Sequence, residues 1–322
     1  MDKAKLESIY KTIEEYNKII IFAHKRPDGD AIGSSFGLKN IIETTWPNKE
    51  VHVTGESSDF TQIIGIPEVL EDDVFEGALA IALDTANKDR LADQRYTLCD
   101  KIIKMDHHVF VEAYGDIDYV DTGRPACTLM IMDLFELHKD TMKMTQEGAK
   151  ALYFGTLTDT GRFKYDGVDG DTFRSVATLF DMGLDKKVIH QYLDQRSEEL
   201  TRFKGYLLQH YQKTPHGVVY FKIKPKYLKK FKVTLEEASS LVNELGVFEG
   251  YPIWLLFAEY EEGIVRCRMR SKGPRIDLLA NKYEGGGHQM ASGASLGTWK
   301  RTDLLIKDAD QLAKDYKQGL VE

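Results

Sequence analysis

What this chain has little of narrows its function first. Its three cysteines, Cys99, Cys127 and Cys267, are odd in number, widely spaced and without a CxxC pair, which speaks against a disulfide framework and a thiolate zinc site. No apolar run approaches the roughly 18 residues needed to span a bilayer. The opening Met-Asp-Lys-Ala-Lys-Leu-Glu alternates charge without the apolar core of a secretory signal. These absences predict a soluble, cytoplasmic protein. Positive charge is also short, with 43 Lys and Arg against 51 Asp and Glu, a net charge of −8. An acidic total argues against indiscriminate binding to nucleic acid, so an anionic substrate needs its own local cations. Internal repeats and low-complexity tracts are missing as well. What is present, 322 residues at 42% apolar and 29% charged, is too apolar for disorder and at roughly 100–200 residues per domain predicts two domains.

Leu6, Ile9, Ile13 and Tyr16 recur at helical spacing before the apolar run 19–23, predicting a helix and then a strand that ends at His24. A second helical pattern runs from Ala31 to about Thr44 and is stopped by Trp46-Pro47; residues 51–53, 78–83 and 102–105 read as further strands. Apolar strands alternating with helices imply parallel pairing, because each parallel neighbour needs a crossover and both faces then lie under helices. Residues 126–210 read as mostly helical, including 146–157, 172–180 and 197–211, with the domain linker in the last part. Strands follow at 218–223, 253–260 and 264–269, the last two joined by Glu261-Glu262-Gly263 as a hairpin signal. Thr234-Leu235-Glu236-Glu237 has capping-box spacing and opens a helix toward Leu245, with Gly246 as its stop. The expected fold is α/β: a parallel-sheet N-terminal domain over 1–192, a helical linker over 193–214, and a smaller mixed α+β domain over 215–322 across a cleft.

The densest chemical signal is His24-Lys25-Arg26-Pro27-Asp28-Gly29-Asp30-Ala31-Ile32-Gly33-Ser34, where a strand gives way to a helix. Open α/β sheets bind ligands at the C-terminal ends of their strands, and an imidazole with two carboxylates suits a divalent cation. Alone, the segment reads equally as a polar turn capping the next helix through Asp30. Asp84 ends the run 78–83, and Asp106-His107-His108 ends 102–105. Single Asp residues after strands are usually caps or turn formers, but polar groups at three strand ends should share one edge of the sheet. Asp159, in Thr158-Asp159-Thr160-Gly161-Arg162-Phe163, lies just beyond a helical run; it either reaches the same edge or closes the helix with Gly161. His24, Asp28, Asp30, Asp84, His107 and Asp159 form an oxygen-rich set with imidazoles and no thiolate, favouring Mn or Mg. Two such ions roughly 3.5–4 Å apart suit hydrolysis of a phosphoester.

A second signal is Gly285-Gly286-Gly287-His288-Gln289-Met290-Ala291-Ser292-Gly293, preceded by Arg266-Cys267-Arg268-Met269-Arg270-Ser271-Lys272. Consecutive glycines let backbone N–H groups approach an anion, and alternate strand residues place Arg266, Arg268 and Arg270 on one face. This reads as a phosphate or nucleotide pocket, with a flexible loop beside a solvated basic strand as the plainer alternative.

Taken in order, the His24 to Ser34 segment, Asp84, Asp106-His107-His108 and Asp159 to Phe163 resemble the four motifs of the DHH phosphoesterase superfamily. The segment Arg270-Ser271-Lys272 with Gly285-Gly286-Gly287-His288 looks like the DHH-associated C-terminal domain. The likeness runs from residue 24 to residue 293. Chain length and layout look like the small oligoribonuclease and pAp phosphatase type, the nanoRNases. The resemblance implies a two-metal site, usually manganese with magnesium as the alternative: His24, Asp28 and Asp84 for one ion, and Asp30, Asp84, His107 and Asp159 for the other. Asp106 would orient a neighbouring histidine and His108 would contact the scissile phosphate. Arg270, Ser271, Lys272 and His288, with Gly285, Gly286 and Gly287, would hold the terminal nucleotide, and Arg268 would add positive charge. It further implies release of nucleoside 5′-monophosphates from RNA of about two to five nucleotides and of AMP from pAp, by a monomer or homodimer. The alternatives are a pApA or cyclic-dinucleotide phosphodiesterase and, more remotely, an inorganic pyrophosphatase, against which the glycine loop counts. Two departures bear on substrate preference. Gly123-Arg124-Pro125-Ala126-Cys127-Thr128 stands where relatives often carry a Ser/Thr-rich turn, leaving Arg124 as a substrate contact or a local turn residue. Arg268 occupies a position where a small polar residue is expected.

Overall fold

Helix α1 (Lys3–Glu15) begins where the Asp2 side chain accepts the Lys5 N–H, and it buries Leu6, Ile9 and Ile13 on one stripe. The computed structural model describes residues 2–260 and 263–321, and the chain divides into two units, Met1–Asp194 and Gln195–Glu322.

In the first unit, β1 (Lys18–Phe22), α2 (Gly29–Thr45), β2 (Glu50–Thr54), β3 (Leu79–Leu83), β4 (Lys101–Asp106) and β5 (Ile117–Val120) are followed by α3 (Cys127–Leu137), α4 (Gln146–Asp159), α5 (Gly170–Asp181) and α6 (Lys186–Asp194). The sheet has the order β2-β1-β3-β4-β5 and every pairing is parallel. Ile19, Ile21, Leu79 and Ile81 face a core built with α1 to α4, while Ile20, Phe22, Ala80 and Ala82 pack against Phe75, Leu91 and Tyr96. Burial on both faces is why these strands read as unbroken apolar runs. From β1 the chain moves outward to β2 and then returns to β3 on the other side of β1. The order therefore reverses between β1 and β3, and that is where such sheets open a crevice.

One helix end and one strand differ from the sequence reading. Asp159 is the last residue of α4, not a residue beyond it, and β5 was not anticipated because Ile117-Asp118-Tyr119-Val120 is a short, mixed edge strand. Helix α2 and α4 approach so closely that a Cβ on Gly33 would lie 2.6 Å from the Ala151 carbonyl oxygen and 2.9 Å from the Gly155 nitrogen.

The second unit holds α7 (Glu198–His210), β6 (Gln212–Lys213), β7 (Val218–Ile223), α8 (Pro225–Phe231), α9 (Leu235–Ser240), β8 (Ile253–Glu259), β9 (Val265–Ser271), α10 (Asp277–Lys282), β10 (Gly286–His288), β11 (Ala291–Gly297) and α11 (Lys300–Lys317). Its sheet, β10-β11-β9-β8-β7-β6, is mixed: β7 and β8 are parallel, the other pairs antiparallel. Val218, Leu255, Phe257 and Met269 pack on Leu305 and Ala309 of α11, and Val219, Phe221 and Leu256 on the opposite face pack with Leu200, Phe203 and Leu207 of α7. The stretch expected as a linker, 193–214, thus contributes a helix to this core. The capping box on Thr234 forms, but α9 ends at Ser240 and 3-10 turns carry the chain over 241–247. Gly246 sits inside that segment, where a Cβ would come within 2.7 Å of the Trp254 ring. Glu261 and Glu262 of the expected hairpin turn lie outside the described residues. No helix among the described residues is long and apolar enough to cross a membrane.

Candidate active site

The groups at the ends of β1, β3 and β4 meet. His24 is two residues past β1; its Nδ1 donates to the Lys25 carbonyl at 2.9 Å, turning Nε2 toward Asp28 Oδ2 at 3.8 Å and Asp84 Oδ2 at 3.6 Å. Asp28, not Asp30, caps α2: its Oδ1 accepts the N–H groups of Asp30 and Ala31, both at 3.0 Å. Asp30 lies in the first turn of α2 and is buried. Its carboxylate is held by the N-terminus of α3, accepting from the N–H groups of Cys127 at 2.5 Å and Thr128 at 3.0 Å and from Thr128 Oγ1 at 2.8 Å, where the helix dipole favours an anion.

Asp84 follows β3 with φ of +54°, a left-handed backbone that costs a non-glycine residue about 1–2 kcal/mol. His107 follows β4, with Nε2 3.3 Å from Asp84 Oδ1, 3.3 Å from Asp159 Oδ2 and 3.9 Å from Asp30 Oδ2. Asp106 Oδ1 accepts from His108 Nδ1 at 2.8 Å. The close crossing of α2 and α4 is what brings Asp159 to the same place as Asp30.

The electrostatics of this cluster call for cations. Burial disfavours a charged His24 ring, but the hydrogen bonds and charges of Asp28 and Asp84 outweigh it and push its pKa up to about 10. His107 is likewise opposed by burial and pushed up to about 10 by Asp84, Asp30 and Asp159. Burial and the Asp84 charge raise Asp30 to about 7, and burial and the Asp30 charge raise Asp159 to about 8. For Asp84 burial works upward, but the surrounding imidazoles win and hold it well below the usual carboxylate range.

Asp84 Oδ1 is buried and makes no hydrogen bond, although His107 Nε2 and His108 Nδ1 stand 3.3 and 3.4 Å away. A buried oxygen with no donor, ringed by imidazole nitrogens and carboxylates, fits a cation better than it fits a proton network. Three sets of donor atoms, His24/Asp28/Asp84, Asp30/His107/Asp159 and Asp84/His107/His108, each lie within 4.8 Å of one another. The residues present therefore fit divalent metal ions held by oxygen and imidazole.

One support of this cluster escaped the sequence reading, and another was read there with two alternatives. Thr128 gave no signal beyond opening a helix, yet it fixes Asp30. Arg124 turns out to be a local structural residue: its guanidinium pairs with Asp133 and its carbonyl lies 3.3 Å from His107 Nδ1.

In the second unit, Arg268 and Arg270 alternate along β9 with buried neighbours. Arg270 lies opposite Ala291, and Ala291 opposite His288; Arg268 lies opposite Gly293, and Gly293 opposite Gly286. The smallest side chains thus separate the arginines from β10, two strand spacings or roughly 10 Å away. A Cβ on Gly287, at φ +138°, would meet the Ala291 carbonyl at 2.6 Å; Gly285, whose Cβ would approach the Gly293 carbonyl, packs against the same strand. Ser271 ends β9 and is mostly buried, its Oγ accepting the Gly273 N–H. The Lys272 ammonium donates to the carbonyls of Gly246 and Phe248 at 3.1 and 3.0 Å, so it braces this region of backbone.

Residues 18–156 match the DHH family N-terminal domain and residues 216–315 the DHHA1 domain. The chain is 35% identical over 310 residues to a bifunctional oligoribonuclease and PAP phosphatase, NrnA, of Bacillus subtilis, covering 96% of this chain and 99% of that protein. It is 34% identical to a probable protein of the same kind from Streptococcus mutans, again over 96% of this chain and 99% of the relative. Among solved structures, an exopolyphosphatase-related protein from Bacteroides fragilis superposes with a TM-score of 0.86 at 24% identity, over 99% of this chain and 98% of that one, and shares the fold. By its matched segments and its near-full-length relatives, the chain belongs to the DHH family, in the form that carries a DHHA1 domain after the catalytic-type sheet.

Proposed function

We propose that this chain is a manganese-dependent phosphoesterase that hydrolyses RNA of about two to five nucleotides to nucleoside 5′-monophosphates and dephosphorylates pAp to AMP. The observation that carries the reading is the convergence of seven donor residues, the six metal candidates and His108, near the switch point between β1 and β3, with the orphaned Asp84 oxygen among them. Relatives named as oligoribonucleases and PAP phosphatases, matched over nearly their whole length, support the substrate class.

His24, Asp28 and Asp84 would hold one ion and Asp30, Asp84, His107 and Asp159 the other, with Asp84 shared. Divalent ions bound there supply activation of a water and charge neutralisation on a phosphoryl group. The protein's own part is positional. The α3 N-terminus keeps the Asp30 carboxylate turned inward, and the Arg124 carbonyl fixes the tilt of the His107 ring. Asp106 holds the Nδ1 side of His108, so that this ring is aimed to donate to a phosphoryl oxygen. In the second unit, Arg268, Arg270, Ser271 and His288, with Gly285, Gly286 and Gly287, are the groups we assign to the terminal nucleotide; a guanidinium fork beside a glycine-rich backbone that an anion can approach closely suits phosphate. Lys272 is assigned to supporting that strand rather than to the ligand.

The test is AMP release from pAp, pApA and a short RNA series by the purified protein, with and without Mn. Turnover that requires the metal and favours pAp and short RNA is the expected result. Turnover of pApA or cyclic dinucleotides alone would reassign the substrate, and release of phosphate from pyrophosphate alone would overturn the reading.

A further inference from the structure

One charge in the first unit has no place in a sheet core. Lys104 lies within the apolar strand β4, two residues before Asp106 and hence on the same face, and it is wholly buried. Burial of an ammonium costs several kcal/mol unless its donors are met and an anion is near. Here Nζ donates to the carbonyl oxygens of Ala86 at 2.8 Å and Glu112 at 3.0 Å, leaving its third donor for Asp106 Oδ2 at 3.9 Å. The rings of Tyr114 and Phe110 cover it at 4.7 and 5.6 Å, and the Tyr114 hydroxyl donates to the Thr85 carbonyl at 2.8 Å.

These partners belong to two segments. Thr85 and Ala86 follow Asp84, and Phe110, Glu112 and Tyr114 follow His107 and His108. A single buried ammonium therefore ties the segment that carries Asp84 to the segment that carries both histidines. Asp106 Oδ2 is buried and accepts no hydrogen bond, and the Lys104 ammonium stands at ion-pair distance from it. The other oxygen, Oδ1, accepts from His108 Nδ1 and, at 3.3 Å, from the His108 N–H. The fold has no need of this arrangement, since an apolar side chain of equal length fills a sheet interior at lower cost.

We propose that Lys104 is a positioning residue for the phosphoester chemistry, aiming His108 through Asp106 and locking the histidine segment against the Asp84 segment. The inference rests on the proposed function for its catalytic readout, but not for its structural one. Lys104→Met keeps the volume and removes the charge; Lys104→Arg keeps the charge. On pAp, with saturating Mn, the Met variant is expected to lose about 10–100-fold in kcat, the range for losing a group that orients a metal-site residue, with KM changed less than about threefold. The Arg variant should recover a substantial part of it. In the Asp106→Asn background the Met substitution should cost little more, because both act along one line. Imidazole nitrogen NMR of the metal-free protein should show the His108 signals displaced in the Met variant, whatever the substrate. Unchanged kcat in a folded Met variant, additive losses in the double variant, or unmoved His108 signals would each overturn the proposal. If the wild type hydrolyses none of the substrates, it is the function that fails, and the His108 signals alone decide the role of Lys104. If the Met variant does not fold, the Lys104→Gln variant takes its place in the same measurements.

Discussion

At the scale of single residues, the shared carboxylate is the sharpest test. Asp84→Asn keeps the size and the left-handed turn, which asparagine tolerates, while removing the charge that both halves of the cluster use. We expect every hydrolytic activity to fall together by at least about a hundredfold, more than the loss of an outer supporting group; unequal losses on pAp and RNA would mean separate sites. The protonation of the cluster gives a second test. In the metal-free protein His24 and His107 titrate near 10, Asp159 near 8 and Asp30 near 7, so at pH 7 the imidazoles are charged and the two carboxyls are largely or partly protonated. Ligation needs neutral imidazole and ionised carboxylate, so loading the metal must expel protons. Apparent Mn affinity should therefore rise with pH from 6 to 9, and calorimetry in buffers of different ionisation enthalpy should record net proton release. Net uptake would contradict the assignment of these residues. All six metal candidates were legible as residues, because polar groups at the ends of apolar strands stand out. Arg124 was legible only as one of two alternatives, and Thr128 and the role proposed for Lys104 were not, since these depend on which helix end, carbonyl or carboxylate the fold delivers to them.

At the scale of elements, the geometry depends on how closely α2 passes α4. Gly33 touches the α4 backbone itself, at Ala151 and Gly155, so no side-chain rotation can make room for a methyl group. Gly33→Ala should destabilise the first unit by about 1–3 kcal/mol, the usual cost of overpacking, and should weaken Mn binding by shifting Asp159 away from Asp30. Thermal unfolding and metal titration check the two effects, and a variant of normal stability and normal affinity would show that the crossing is not limiting. The alternation of strands and helices in the first unit was readable because both faces of its sheet are covered. The edge strand β5 was not, being four residues long and half polar. Nor was the membership of α7: its stripe of Leu200, Phe203 and Leu207 announces a helix with a buried face, but periodicity does not say which core receives it.

At the scale of the whole molecule, the labour is divided along the chain. Every residue assigned to metal lies between His24 and Asp159, inside the first unit, and every residue assigned to the nucleotide lies between Arg268 and His288, inside the second. The overall charge of −8 makes the second set all the more necessary, because a substrate of two to five phosphates meets a protein that on balance repels it. Arg270 and His288 flank Ala291 in register, so truncating both to alanine removes both side chains from one row of the sheet without touching the first unit's core. We expect Arg270→Ala with His288→Ala to raise KM for pAp and for short RNA by at least about tenfold, the loss of one charge-assisted contact of about 1.5–3 kcal/mol. Mn affinity measured without substrate should stay at the wild-type value, since no metal candidate is altered. A fall in Mn affinity would mean that the two sets of residues are energetically one site even before substrate arrives; an unchanged KM would move nucleotide recognition away from the arginine strand altogether.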